Sequence, residues 1–216
     1  MVRNLDRKQM KLKPSKIIAA GLNYIDHARE MKMDPPKQPV IFLKPPSALI
    51  YNKEAIVYPP QTSELHYEAE LAVVIKDRIK NVAEEEALDH VLGFTCANDV
   101  TARDLQRADV QWTRAKAFDT FCPIGPKIVS GINPDNLEIK LYLNGELQQS
   151  SNTSNLIFKV KYLIAYISQV MTLEPEDLIL TGTPAGIGPM QVGDVVEVEI
   201  EKIGKLVNQV VAKKLP

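Results

Sequence analysis

Three acidic residues carry the clearest chemistry in this sequence. Glu68 and Glu70 stand two apart in His66-Tyr67-Glu68-Ala69-Glu70-Leu71-Ala72-Val73-Val74-Ile75, and side chains two apart on a strand share a face. The apolar run after Glu70 reads as buried strand, so two carboxylates meet beside a core, where anions repel and lose hydration. They need a cation or a wet surface. Asp99 stands where a second strand, Phe94-Thr95-Cys96-Ala97, runs out, and with Glu68 and Glu70 it offers three hard oxygen ligands. Such a set suits Mg²⁺ or Mn²⁺ and leaves octahedral positions for water or substrate. Ordinary solvated acids are the competing reading, and the apolar continuation of the Glu68 strand argues against it.

Other residues have chemistry without a clear partner. His27 lies three positions before Glu30, a helical spacing that puts both on one face and lets a carboxylate orient an imidazole. Pro35, Pro36 and Pro39 come soon after, so residues 31–38 are expected to form a restrained lid. Thr181-Gly182-Thr183-Pro184-Ala185-Gly186-Ile187-Gly188 is a glycine-rich turn whose Gly182 amide and Thr183 hydroxyl can receive a carboxylate. It lacks the Gly-Lys-Ser/Thr ending of a phosphate loop. Lys116, in Arg114-Ala115-Lys116-Ala117-Phe118-Asp119, is a candidate for holding an anionic substrate or a developing enolate, and Arg103 and Gln106 are weaker candidates for substrate contacts. His66, by alternation, shares the Glu68 side as a candidate support for the ligands, whereas His90 reads as a surface residue.

The elements that must position these groups are mostly strands. Ile17–Ala20, Val40–Lys44, Leu137–Leu143, Leu178–Thr181, Val192–Ile200 and Leu206–Ala212 carry strand patterns, and Asn144-Gly145 is a strong hairpin turn. Glu84–Gly93 reads as a short helix with acids in its first turn. Asn155 is expected to cap the one long helix, running to Met171 with Leu156, Val160, Leu163, Ile164, Ile167 and Val170 on its apolar face. We read a mixed, mainly β fold, with a basic arm or first strand over residues 1–15 and one catalytic domain over 16–216.

Composition narrows the function. With 45% hydrophobic and 25% charged residues the chain reads as an ordinary globular protein. Its 26 basic and 27 acidic residues nearly cancel, so no overall field favours nucleic acid or an anionic membrane. Arg3, Arg7, Lys8, Lys11, Lys13 and Lys16 cluster near the start without aromatic interleaving and read as a solvated arm. Cys96 and Cys122 sit in apolar settings, as expected of buried thiols in a cytoplasmic protein. No run approaches the roughly 20 apolar residues of a membrane helix.

Taken in order, Asn23-Tyr24 with His27 and Glu30, Phe42-Leu43-Lys44-Pro45-Pro46-Ser47, Glu68-Ala69-Glu70-Leu71, Asn98-Asp99-Val100-Thr101-Ala102-Arg103-Asp104, Lys116-Ala117-Phe118-Asp119 and Thr181–Gly186 resemble the fumarylacetoacetate hydrolase family over residues 16–212. The likeness is to its small members: acylpyruvate hydrolases, oxaloacetate decarboxylases, and isomerases or decarboxylases of aromatic catabolism. It implies a β-sandwich roll or distorted β-barrel with a few packed helices, a homodimer, and Mg²⁺ or Mn²⁺ in the site. It places metal ligands on Glu68, Glu70 and Asp99, a water-activating dyad on His27 and Glu30, a substrate-side lysine on Lys116 and a carboxylate-binding threonine on Thr183. The chain departs from the family in having Ala115-Lys116-Ala117 where Gly-Lys-Ser or Gly-Lys-Gly is common, and Lys202 where glycine is common.

The expected function is therefore metal-dependent cleavage of small 2-oxo acids, by hydrolysis of acylpyruvates, decarboxylation of oxaloacetate, or both. One alternative is a 2-hydroxyhepta-2,4-diene-1,7-dioate isomerase or 5-carboxymethyl-2-oxo-hex-3-ene-1,6-dioate decarboxylase. Another is an oxo-acid binding protein without turnover, which the presence of every expected catalytic and metal residue disfavours.

Overall fold

The structure, a computed structural model, describes residues 3–5 as backbone, and residues 11–30 and 32–213 in full. Arg7 and Lys8 of the basic segment, and Met31 at the start of the expected lid, lie outside the described residues. Backbone of Arg3–Leu5 pairs antiparallel with Ile128–Ser130.

The chain is mostly β, and its curled sheets form a half-barrel. At the centre of the largest sheet runs Ala69–Ile75, in which every residue is buried. It is flanked on one side by Val91–Asn98 and on the other by Leu178–Leu180, both antiparallel to it. Because side chains on both of its faces are buried, its sequence is a near-continuous apolar run instead of an alternating one. Ile17–Gly21 and the edge strand Val40–Lys44 extend this sheet beyond Leu178–Leu180, and Cys122–Ser130 extends it beyond Val91–Asn98. A second, five-stranded sheet runs Glu146–Asn152, Glu138–Leu143, Val195–Ile200, Gly204–Ala212 and Ile56–Tyr58 in spatial order, with Asn144-Gly145 as the expected hairpin turn. A third, small sheet pairs Leu65–Tyr67 with Gly188–Met190 and Thr101–Ala102.

Among the described residues four short α-helices complete the fold: α1 Ile25–Glu30, α2 Arg103–Ala108, α3 Thr113–Lys116 and α4 Val160–Val170. The apolar face of α4 buries Val160, Leu163, Ile164 and Ile167, as its periodicity requires. Its start is later than the Asn155 cap implied. The Asn23 side chain pairs with both the N–H and the carbonyl of Phe158, and the Asn23 carbonyl accepts the Ile157 N–H, which holds the chain extended ahead of α4. The helix expected over Glu84–Gly93 shrinks to a 3₁₀ turn at Ala87–His90, because Val91 already pairs with Ile75. No helix among the described residues is long and apolar enough to cross a membrane.

Candidate active site

Glu68 does not lie in a strand. It falls between Leu65–Tyr67 of the small sheet and Ala69–Ile75 of the large one, where the chain passes from one sheet to the other. Its N–H is caught by Asn98 Oδ1 at 2.9 Å, and its carbonyl accepts the Asp99 N–H at 2.9 Å. These bonds fasten Glu68 to the end of Val91–Asn98, and so to Asp99. Glu70 is the second residue of its strand, opposite Ala97. One oxygen from each of Glu68, Glu70 and Asp99 lies within 4.8 Å of the others, and all three side chains are buried.

Cations surround two of these carboxylates. Lys116 Nζ, at the end of α3, donates to Glu68 Oε2 at 2.9 Å and Asp99 Oδ2 at 2.6 Å. Lys44 Nζ, at the end of the edge strand, donates to Asp99 Oδ1 at 2.5 Å, and Arg103 at the start of α2 pairs with Glu68 Oε1. Burial alone would raise the Glu68 pKa, but Lys116 and Arg103 outweigh it and hold the carboxyl well below its usual range. Burial likewise opposes the charge on Lys116, and Asp99 with Glu68 overcomes it, so its pKa is raised.

Glu70 is different. Its Oε2 accepts the Gly182 N–H at 2.6 Å, and no described lysine, arginine or histidine forms an ion pair with it. Burial, and then the charges of Asp99 and Glu68, push its pKa well above the ordinary value. A buried, oxygen-only cluster with one uncompensated member fits a hard divalent cation, which would relieve that repulsion.

The remaining candidates converge on the same place. A cleft of about 330 Å³ is lined by Glu68, Glu70, Asp99, His27, Lys116, Thr183, Arg103 and Gln106, with Phe42, Trp112, Met33 and Ile187 as its apolar wall. His27 is held on α1 by Glu30: Nδ1 and Glu30 Oε2 lie 2.9 Å apart, while Glu30 Oε1 accepts the Gly186 N–H at 3.0 Å. With Nδ1 as the donor to Glu30, Nε2 is left as the basic nitrogen. Gly186, at φ +94°, lies so close to Glu146–Asn152 that an added Cβ would overlap the Gln148 carbonyl.

Gly182 has another task than the one its sequence implied. Its N–H goes to Glu70, and at φ +96° an added Cβ would stand 2.8 Å from Asn23 Cβ. Thr183 lines the cleft, and its Oγ1 accepts a bond from Gln149 Nε2 at 2.9 Å. His66 does not line the cleft; the sheet change at Glu68 breaks the alternation, and its Nε2 pairs with Glu64 Oε1 at 3.0 Å. His90 pairs with Asp77 at 2.7 Å.

Sequence reasoning gave no role to Lys44 or Gln149. A signal existed for Lys44, a charged residue closing an apolar strand just before Pro45-Pro46. Gln149 sits in the polar run Glu146–Asn152, and nothing local distinguishes it.

A family model described as "Fumarylacetoacetate (FAA) hydrolase C-terminal" matches residues 16–211. The chain belongs to the fumarylacetoacetate hydrolase family. Among family relatives, the mitochondrial oxaloacetate tautomerase FAHD2B of Bos taurus is 46% identical over 211 residues, covering 92% of this chain and 67% of the relative. Two solved members share the fold. A 2-hydroxyhepta-2,4-diene-1,7-dioate isomerase from Mycobacterium marinum has a TM-score of 0.88 at 46% identity, covering 94% of this chain and 77% of that one. A fumarylpyruvate hydrolase from Pseudomonas aeruginosa, in complex with Mn²⁺ and pyruvate, has a TM-score of 0.91 at 33% identity, covering 99% and 96%. Family members thus include a tautomerase, an isomerase and a hydrolase on one scaffold.

Proposed function

We propose that this chain is an enzyme that requires Mg²⁺ or Mn²⁺ and acts on small 2-oxo acids, hydrolysing the C–C bond of acylpyruvates, decarboxylating oxaloacetate, or both. One observation carries the reading: the acidic cluster, His27, Lys116 and Thr183 line a single cleft. The fumarylpyruvate hydrolase with Mn²⁺ and pyruvate supports both the metal and the substrate class.

In this reading Glu68, Glu70 and Asp99 hold the ion, which supplies Lewis-acid polarisation of the bound 2-oxo acid. Thr183 receives the substrate carboxylate through its hydroxyl. Gly182 contributes indirectly, by fixing Glu70. For an acylpyruvate, His27 Nε2 takes a proton from a water as the water oxygen bonds to the distal acyl carbon. The bond from that carbon to C3 then breaks, its electron pair passes into the pyruvate enolate, and the proton returns from His27 to C3. Glu30 fixes the ring so that Nε2 faces this task. Two of the three Lys116 donors hold Glu68 and Asp99, and the third is available for negative charge developing on the enolate oxygen. Arg103 and Gln106 are assigned to the part of the substrate beyond C3. With oxaloacetate the C3–C4 bond breaks, CO₂ leaves, the electron pair passes into the pyruvate enolate, which then takes a proton from solvent at C3, and no attacking water is needed.

A second reading, isomerisation of 2-hydroxyhepta-2,4-diene-1,7-dioate or tautomerisation of oxaloacetate, is favoured by the isomerase structure and the tautomerase relative. Both require only proton movement, which one oriented imidazole performs. We further propose that residues 16–216 act as one catalytic domain, that the protein is a homodimer, to be checked by light scattering, and that it is cytoplasmic, in keeping with its two buried free thiols.

The deciding experiment assays the purified protein with Mg²⁺ or Mn²⁺, and again with chelator, against oxaloacetate, acetylpyruvate, fumarylpyruvate and the heptadiene-dioate. Turnover lost on chelation supports the proposal. Absence of metal-dependent turnover of all four overturns it.

A further inference from the structure

Gln149 comes from the second sheet, yet its side chain reaches the backbone between Glu68 and Glu70 and the hydroxyl of Thr183. In Glu146–Asn152 it is 1% exposed, whereas Glu146, Leu147, Gln148 and Ser150 are exposed. A register shift explains how it turns inward: Leu141 pairs with Gln149 and Tyr142 with Leu147, so Gln148 is an extra, bulged residue.

Both N–H groups and the oxygen of its amide are engaged. Gln149 Oε1 accepts the N–H of Ala69, the residue between Glu68 and Glu70, at 2.9 Å. Nε2 donates to the Pro184 carbonyl at 2.8 Å and to Thr183 Oγ1 at 2.9 Å. A flipped amide would set its NH₂ against the Ala69 N–H and its oxygen against the Pro184 carbonyl, so the neighbours themselves fix the orientation. Thr183 Oγ1 is therefore an acceptor toward Gln149. Its own proton must point elsewhere, and Thr183 lines the cleft.

We infer that Gln149 is a positioning residue that makes the Thr183 hydroxyl an obligate donor into the cleft, tuning this point of the site to an anionic acceptor such as the carboxylate of a 2-oxo acid. The inference rests on the reading of the cleft proposed above. Through Ala69 and Thr183 the same amide ties the glycine-rich turn to the strand that carries Glu70.

The test uses the full chain loaded with Mn²⁺ and pyruvate as the probe, titrated by calorimetry, with Mn²⁺ affinity followed separately by EPR. In Gln149→Glu the new carboxylate still accepts from Ala69 but takes the Thr183 proton, so pyruvate affinity falls about tenfold while Mn²⁺ affinity holds. Gln149→Met, which removes the donor without reversing the hydroxyl, gives a smaller loss. In a Thr183→Val background Gln149→Glu adds less than twofold. Full additivity, unchanged pyruvate affinity in both Gln149 variants, or a parallel loss of Mn²⁺ affinity overturns the inference. Failure of the unmodified protein to bind pyruvate sinks the proposed substrate class instead. A probe-free measurement then decides about Gln149: Thr183→Val must shift the Gln149 side-chain amide resonances in the NMR spectrum, and an unshifted pair rejects the contact.

Discussion

Lys116 Nζ lies 2.6 Å from Asp99 Oδ2, and both side chains are almost fully buried. The lysine thus bonds two of the three carboxylates that a divalent ion would need, and these two bonds leave one of its three protons unused. It is at once a counter-ion to the acidic cluster and a competitor for it.

Lys116→Met is therefore expected to act in opposite directions on binding and turnover. Removing a fixed positive charge beside the cluster raises Mn²⁺ affinity, whereas loss of enolate stabilisation lowers kcat by about 10²–10³-fold. The metal-free variant also loses about 3–5 kcal/mol of stability, since a buried pair is broken on one side. Mn²⁺ titration followed by EPR and metal-free thermal melts check this; weaker Mn²⁺ binding would contradict the competitor role.

Glu70→Gln removes the one carboxylate of the cluster that lacks a cationic partner. The metal-free protein should melt at a higher temperature than the parent, because a buried repulsion is gone. The rise in Tm that Mg²⁺ or Mn²⁺ gives the parent should vanish with activity. A metal-free melt below that of the parent is the contrary result.

His27→Ala should lower acylpyruvate hydrolysis by at least about 10²-fold, the usual contribution of a general base, and oxaloacetate decarboxylation by much less. Glu30→Gln, which keeps a polar side chain near Nδ1 and the Gly186 N–H, should be milder than His27→Ala. Steady-state kinetics on both substrates test the division; equal losses in the two reactions would mean that His27 serves a step common to both.

Asp104 gives an acid limb to stability. Burial would raise its pKa, but the Ser63 N–H, the Thr62 hydroxyl, the Leu105 N–H and the Ser63 hydroxyl all donate to it and bring it down to about 2 from an ordinary 3.8. The folded state then binds a proton less readily than the unfolded one. Its contribution is present above the unfolded pKa and is lost as pH falls through the folded value. Asp104→Asn should cost about 1 kcal/mol at neutral pH, with the difference from the parent closing between about pH 4 and pH 2. Urea melts across that range report the gap, and a difference that stays constant with pH would refute the assignment.

Much of this site was legible in the sequence. Glu68, Glu70 and Asp99 announced themselves as oxygen donors set beside apolar strands, and the spacing of His27 and Glu30 survives as a hydrogen-bonded pair on α1. Strand alternation failed at His66, because the chain changes sheets at Glu68 and the face is not carried across the break. The Asn155 cap failed because the segment ahead of α4 is held extended by Asn23, more than a hundred positions away in the chain.

The sequence by itself determined which residues can ligate, abstract or donate, and where many of the strands, the Asn144-Gly145 turn and the apolar face of α4 lie. Periodicity and turn chemistry act over a few residues, so they are written locally. Only the tertiary structure decided how charge is distributed among those groups. It brought Lys44 to Asp99 across 55 positions and Gln149 to Ala69 across 80. It left Glu70 without a cation, and it gave the Gly182 amide to Glu70 instead of the open cleft. Such pairings depend on which strands lie side by side, and a local pattern holds no record of a distant neighbour.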